Sequence, residues 1–217
     1  MSSYTELAKK AVETYIKKGE IIKVPSGLPE EMLKKKAGTF VTIEKKENLA
    51  EKENLGERIL KEKSLRGCIG TYLPTKENIA QEIIHNAIAA ATEDYRFGQI
   101  QKEELPSLTY TVYILGAPEL VKDIKKELDP KIYGIIVKTN PIVNYPRPEG
   151  EARSEGAANG TDVVFNGHFV PKSALLLPDL EGIDTIEKQI SVACQKGGID
   201  PLKENLIIYR FKVEKYD

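Results

Sequence analysis

The sequence predicts an α+β fold with a largely antiparallel sheet and flanking helices. Helical and strand-like stretches are interspersed without a regular βαβ rhythm. Residues 108–115 alternate strictly, with Leu108, Tyr110, Val112 and Ile114 on one face and Thr109, Thr111 and Tyr113 on the other. That is the pattern of a sheet packed on one side only. A second alternating run, residues 206–213, sets Ile207, Tyr209, Phe211 and Val213 against Ile208, Arg210 and Lys212.

The remaining elements follow from local chemistry. Ser3, Tyr4, Thr5 and Glu6 have capping-box spacing, and Leu7, Ala8, Ala11, Val12, Tyr15 and Ile16 recur at helical intervals. Gly19 is placed to end that helix in a left-handed conformation. Beyond Pro25 and Pro29, residues 38–43 form a β-branched strand pattern. Residues 45–63, mostly Lys, Glu and Asn, read as a solvated hairpin extension or surface helix. Thr75 is placed to cap a helix whose apolar face is Ile79, Ala80, Ile83, Ile84, Ala87 and Ile88. Residues 133–137 and 174–178 read as buried strands. Asp184 to Glu187 again has capping-box spacing, with Asp184 as the cap of a helix ended by Gly197 and Gly198. Residues 139–172, punctuated by Pro141, Pro146, Pro148, Gly150, Gly156 and Gly160, are too long for an ordinary connection. They read as an insertion or a lid, with a hairpin around Asn166-Gly167.

Composition narrows the function classes. At 217 residues and 41% hydrophobic, the chain can build one good core, as one domain or two intimate subdomains. Lys+Arg 32 against Asp+Glu 33 gives a net charge of −1, against the basic excess that nucleic-acid binding requires. No apolar run reaches the roughly 20 residues of a membrane helix. The N-terminus lacks a secretory h-region, so the expected location is the cytoplasm, with Cys68 and Cys194 as reduced thiols. Two histidines and no CxxC or HxxxH leave no metal site or cofactor to expect.

The run Leu65-Arg66-Gly67-Cys68-Ile69-Gly70, followed by Thr71 and Tyr72, resembles the signature of the AMMECR family. Residues 90–97, with Glu93, Asp94, Arg96 and Phe97, resemble that family's acidic-then-Arg-Phe segment, although Tyr95 stands where Pro is common. Residues 176–182 and Tyr209-Arg210-Phe211 resemble its C-terminal landmarks. The likeness covers nearly the whole chain except 45–63 and 139–172. It implies two unequal subdomains with a cleft between them, lined by the Arg66–Gly70 segment. Prokaryotic relatives accompany Memo-like and radical-SAM proteins, which are therefore the expected partners; the family supplies no settled activity.

The residues themselves offer two kinds of chemistry. Gly67 and Gly70 bracket Cys68, letting a neighbouring strand or a ligand come close. Cys68 is a nucleophile if Arg66 or a helix N-terminus favours the thiolate, and otherwise a small buried hydrophobe. A cysteine catalyst also needs a base, and His85 and His168 are the only histidines. Arg66 and Arg96 suit a carboxylate or phosphate ligand, or else pair with Glu93 or Asp94. Glu93 and Asp94 are also an acid–base pair in principle. The two functional expectations are a binding or accessory module and an enzyme on a small anionic substrate using Arg66 and Cys68.

Overall fold

The computed structural model describes residues 2–46, 63–139 and 171–217. The fold is α+β, and the described chain divides into two units, residues 1–116 with 214–217, and residues 117–213.

The first unit opens with α1 (Ser3–Lys18). Its cap is Ser2, one residue earlier than the sequence spacing suggested: the Ser2 side chain accepts from the Thr5 N–H, and the Thr5 hydroxyl accepts from the Ser2 N–H. Gly19 ends the helix at φ 72°, as its position required. After α2 (Glu30–Lys34) come β1 (Thr39–Lys46) and β2 (Lys63–Gly70), antiparallel partners whose ends meet at Lys46 and Lys63. The hairpin extension expected between them lies outside the described residues, as does the Asn166-Gly167 hairpin.

Helix α3 (Ile79–Thr92) is capped by Asn78, whose side chain accepts from the Gln81 N–H. Thr75, the expected cap, instead donates to Glu82. A 3-10 helix (Lys102–Ser107) leads into β3 (Leu108–Leu115), which pairs antiparallel with β1. Leu108, Tyr110, Val112 and Ile114 are buried, as the alternation demanded. With β8 (Val213–Tyr216), the sheet order is β2-β1-β3-β8. α1 and α3 supply the apolar faces of the core, with Val41 and Ile43 among the sheet residues that meet them. Tyr4 stacks on Tyr216 with ring centroids 3.8 Å apart, tying α1 to the last strand.

The second unit holds β4 (Glu119–Leu120), α4 (Ile124–Glu127), β5 (Gly134–Thr139), β6 (Ser173–Leu176), α5 (Ile186–Lys196) and β7 (Leu206–Phe211). Its sheet order is β4-β7-β5-β6, antiparallel throughout. Thr185 caps α5 by accepting from the Lys188 N–H. Asp184, the expected cap, pairs with Lys131 at 2.8 Å. Cys194 is core, packed with Ile135, Val137 and Ile208. The single terminal strand read from the alternation is two strands: β7 and β8 separate at Lys212 and join different sheets. Among the described residues no helix is long and apolar enough to cross a membrane.

Candidate functional site

β2 is an edge strand, and its interior positions are fixed by close packing. At Gly67 a Cβ would lie 2.0 Å from the Ala90 carbonyl oxygen of α3. At Gly70 a Cβ would lie 2.3 Å from the Phe40 ring and the Thr39 carbonyl of β1. Real Cβ contacts do not come below about 3 Å, so both positions demand glycine for backbone-to-backbone packing. The pairing of β2 with β1 shifts register between Ile43 and Glu44, leaving Arg66 as the extra residue of a bulge.

Arg66 spends its donors on the chain itself. Nε and Nη2 grip the Glu104 carboxylate at 2.8 and 2.9 Å, the bidentate geometry of a guanidinium fork. Nη1 donates to the Gly98 carbonyl at 2.6 Å and Nη2 to that of Gln99 at 3.1 Å. Arg66 thus joins β2 to the 98–99 loop and the 3-10 helix. Its carboxylate partner is Glu104 and neither Glu93 nor Asp94. The hydrogen bonds from Arg66, outweighing burial, hold Glu104 below its usual carboxylate range.

Asp94 and Arg96 act together on the strand edge. The Asp94 side chain is buried, and its Oδ2 accepts from the Cys68 N–H at 2.8 Å. Arg96 grips the same carboxylate through Nε at 2.9 Å and Nη2 at 2.7 Å. Nη2 also donates to the Cys68 carbonyl at 3.4 Å. An acceptor for the N–H and a donor for the C=O are what a neighbouring strand would provide. The Asp94–Arg96 pair therefore takes the place of a strand at the outer edge of β2. Burial works to raise the Asp94 pKa. Hydrogen bonds from Arg96 and from the Cys68 N–H outweigh it and hold the carboxyl low. The same contact raises Arg96 above the ordinary arginine value.

Cys68 is half-buried, and the core-packing reading of it does not hold. It stands opposite Thr42 in the register, and its Sγ shares a hydrogen bond with Thr42 Oγ1 at 3.2 Å. Thr111, opposite Thr42 on β3, donates to Asp217 at 2.8 Å. Burial first, then the nearness of Cys68, Asp217 and Glu44, pushes the Tyr113 phenol up to about 12. His85 is exposed on α3, and His168 lies outside the described residues. Glu93 is exposed at the C-terminal cap of α3 and does not join this cluster. Among the described residues no group of His, Cys, Asp and Glu is arranged to hold a metal ion.

Two buried polar residues of α3 were not anticipated. Glu82 is fully buried and accepts from Thr71 Oγ1, Thr75 N–H, Thr75 Oγ1 and Lys76 N–H at 2.7–2.9 Å. Burial opposes its charge, and these donors overcome that and lower its pKa. Asn86, one turn on, donates to Thr39 O at 3.1 Å and Thr39 Oγ1 at 2.8 Å. Glu82 and Asn86 lie on the helical face of Ile79, Ile83 and Ala90, where a carboxylate among apolar residues signals a buried acceptor. Glu82 thereby fixes the loop that leaves the signature strand.

A family model described as AMMECR1 matches residues 5–216. A protein of Thermotoga maritima is 40% identical over 213 residues, covering 98% of this chain and 96% of that protein. A longer protein of Clostridium acetobutylicum is 35% identical over 98% of this chain, a match that spans only 35% of that protein. The crystal structure of an uncharacterized protein from Pyrococcus horikoshii superposes with a TM-score of 0.69 at 27% identity, covering 98% of this chain and 88% of that one.

Proposed function

This chain belongs to the AMMECR1 family, and on that premise we propose that it is a binding or accessory module, working with a protein partner of the Memo-like or radical-SAM kind. The observation that carries this reading is the internal use of the signature's charged groups. Arg66, the residue suited to clamp an anionic substrate, holds Glu104 and two loop carbonyls. Asp94, the better-placed acid, is occupied by Arg96 and the Cys68 N–H. Groups committed to satisfying the fold have little capacity left for a substrate. The Clostridium match lends support, because there the corresponding region is part of a longer protein. A module that operates beside another domain suits that arrangement. Calorimetric titration of the purified chain with a Memo-like protein tests the proposal: saturable binding supports it, and no heat at tens of micromolar counts against it.

One observation favours the enzymatic alternative. Cys68 is half-buried and its Sγ shares a hydrogen bond with Thr42 Oγ1, whereas Cys194 is buried. In a Cys194→Ser background, the alkylation rate of Cys68 against pH separates the readings. Fast reaction with an apparent pKa well below about 8.5 marks an activated thiolate and puts catalysis first. Reaction only on unfolding leaves Cys68 as an edge-strand residue and the binding module as the reading.

A further inference from the structure

The first sheet ends on its other side at β8, and α1 meets that strand through a pair of tyrosines. The rings of Tyr4 and Tyr216 lie 3.8 Å apart with 13° between their planes, so each largely covers the other. Neutral rings prefer offset or edge-to-face contacts at about 4.5–7 Å, because stacked faces carry like partial charge. Loss of one electron reverses that repulsion, since the positive charge then faces an electron-rich ring. Each phenol also has its own proton acceptor. Tyr4 Oη donates to Glu31 Oε1 at 2.5 Å, and Tyr216 Oη donates to Glu214 Oε2 at 2.7 Å. Burial first, then the bond to Glu31, raises the Tyr4 phenol well above its ordinary range, so its proton leaves only together with an electron. The bond from Tyr4, with the charge of Lys35 after it, outweighs burial and keeps Glu31 an ionised acceptor. Other tyrosines lack this arrangement. The Tyr110 phenol is buried with no hydrogen-bond partner among the described residues. Tyr133 lies under Arg210 at 4.7 Å and Lys212 at 5.7 Å, whose charge opposes removal of an electron. Tyr4 is buried and Tyr216 half-buried, so the pair joins a shielded ring to one nearer the surface.

We propose that Tyr4 and Tyr216 form a redox-active site that gives one electron to a high-potential metal centre outside the chain, with the radical settling on Tyr4. In that step the metal is reduced by one electron, the Tyr4 Oη–H bond breaks, and the proton passes to Glu31 Oε1. The products are a neutral phenoxyl on Tyr4 and a protonated Glu31. An electron from a reductant such as ascorbate, with the proton returned by Glu31, restores the phenol. A carboxylate already hydrogen-bonded to the phenol removes the need for the proton to find its own way to water. The inference goes beyond the binding-module reading and does not rest on it.

The test is flash photolysis of the full chain at neutral pH with ruthenium tris-bipyridine as the oxidant and a cobalt(III) ammine as the sacrificial electron acceptor. The phenoxyl is followed by its absorbance and, after freeze-quenching, by electron paramagnetic resonance. The expected result is a long-lived phenoxyl that forms more slowly in D₂O. Tyr4→Phe keeps the stacked rings and removes that signal, leaving only short-lived radicals from exposed tyrosines such as Tyr95. Glu31→Gln still accepts the hydrogen bond but is a far weaker base, and it slows phenoxyl formation by about tenfold or more. Glu31 is exposed, so this variant retains its fold, which unchanged circular dichroism verifies. The absence of a long-lived phenoxyl in the parent overturns the inference. So does a signal of equal size and lifetime in Tyr4→Phe, or a formation rate that Glu31→Gln leaves unchanged.

Discussion

Replacing Gly67 by alanine asks directly whether the signature is architecture or a ligand surface. The added methyl would sit 2.0 Å from the Ala90 carbonyl oxygen and 3.0 Å from its carbonyl carbon. Restoring a tolerable contact of about 3 Å needs roughly 1 Å of separation between β2 and α3. Neither element can yield cheaply. Ala87, Ala90 and Ala91 of α3 are buried, and β2 is held by β1 on one edge and by the Asp94–Arg96 pair on the other. Overpacking of this kind costs about 2–4 kcal/mol, at or above the usual range because the obstacle is backbone. For a chain of this length that corresponds to a fall in Tm of roughly 6–12 °C. Urea unfolding followed by circular dichroism supplies the measurement, with Gly98→Ala as control, since a Cβ there meets nothing within 4 Å. The control is expected within about 0.5 kcal/mol of the parent. If Gly67→Ala were equally silent in stability yet abolished partner binding, the packing argument would be refuted and Gly67 would belong to a ligand surface.

Three further outcomes are expected. Asp94→Ala removes the acceptor of the Cys68 N–H and strands Arg96, destabilising by roughly 2–3 kcal/mol. That is less than the ~3–5 of a fully buried pair, because Arg96 is exposed enough to rehydrate. The uncovered β2 edge should also promote self-association, read as earlier, concentration-dependent elution in size-exclusion chromatography. Glu82→Ala leaves two backbone N–H groups and two hydroxyls without their acceptor and should cost about 2–4 kcal/mol in urea unfolding. Glu82→Gln should cost nearer 1, because its amide oxygen serves the N–H groups and its NH₂ serves the threonine hydroxyls. A larger loss for Gln than for Ala would overturn the assignment. Because the folded-state pKa values of Asp94, Glu82 and Glu104 are depressed, their stabilisation is complete above the ordinary carboxylate range near pH 4. It is lost as pH falls through the folded values. Unfolding midpoints between about pH 2 and 6 should show this fall, and Asp94→Asn should flatten it; an equally steep profile in the variant would exclude Asp94.

The sequence alone determined the elements whose signal is local. The alternation of residues 108–115 specified β3 and its buried face, because side-chain period is an intrinsic property of an extended chain. Gly19 and the apolar stripe from Ile79 to Ile88 likewise defined helices whose faces the structure buries. The Leu65–Gly70 run was legible as one unusual unit, and through it the family. Capping residues were less secure: Ser2, Asn78 and Thr185 displaced Ser3, Thr75 and Asp184, because several oxygen-bearing residues stand near each helix start and only backbone geometry selects one. What only tertiary structure decided was the partnership of distant groups. Arg66 reaches Glu104 and Asp94 reaches the Cys68 N–H across 38 and 26 residues of sequence. No periodicity encodes such pairings. They arise because an edge strand leaves backbone groups unsatisfied and a bulge leaves a guanidinium to place, and folding brings the nearest suitable side chains to meet both needs.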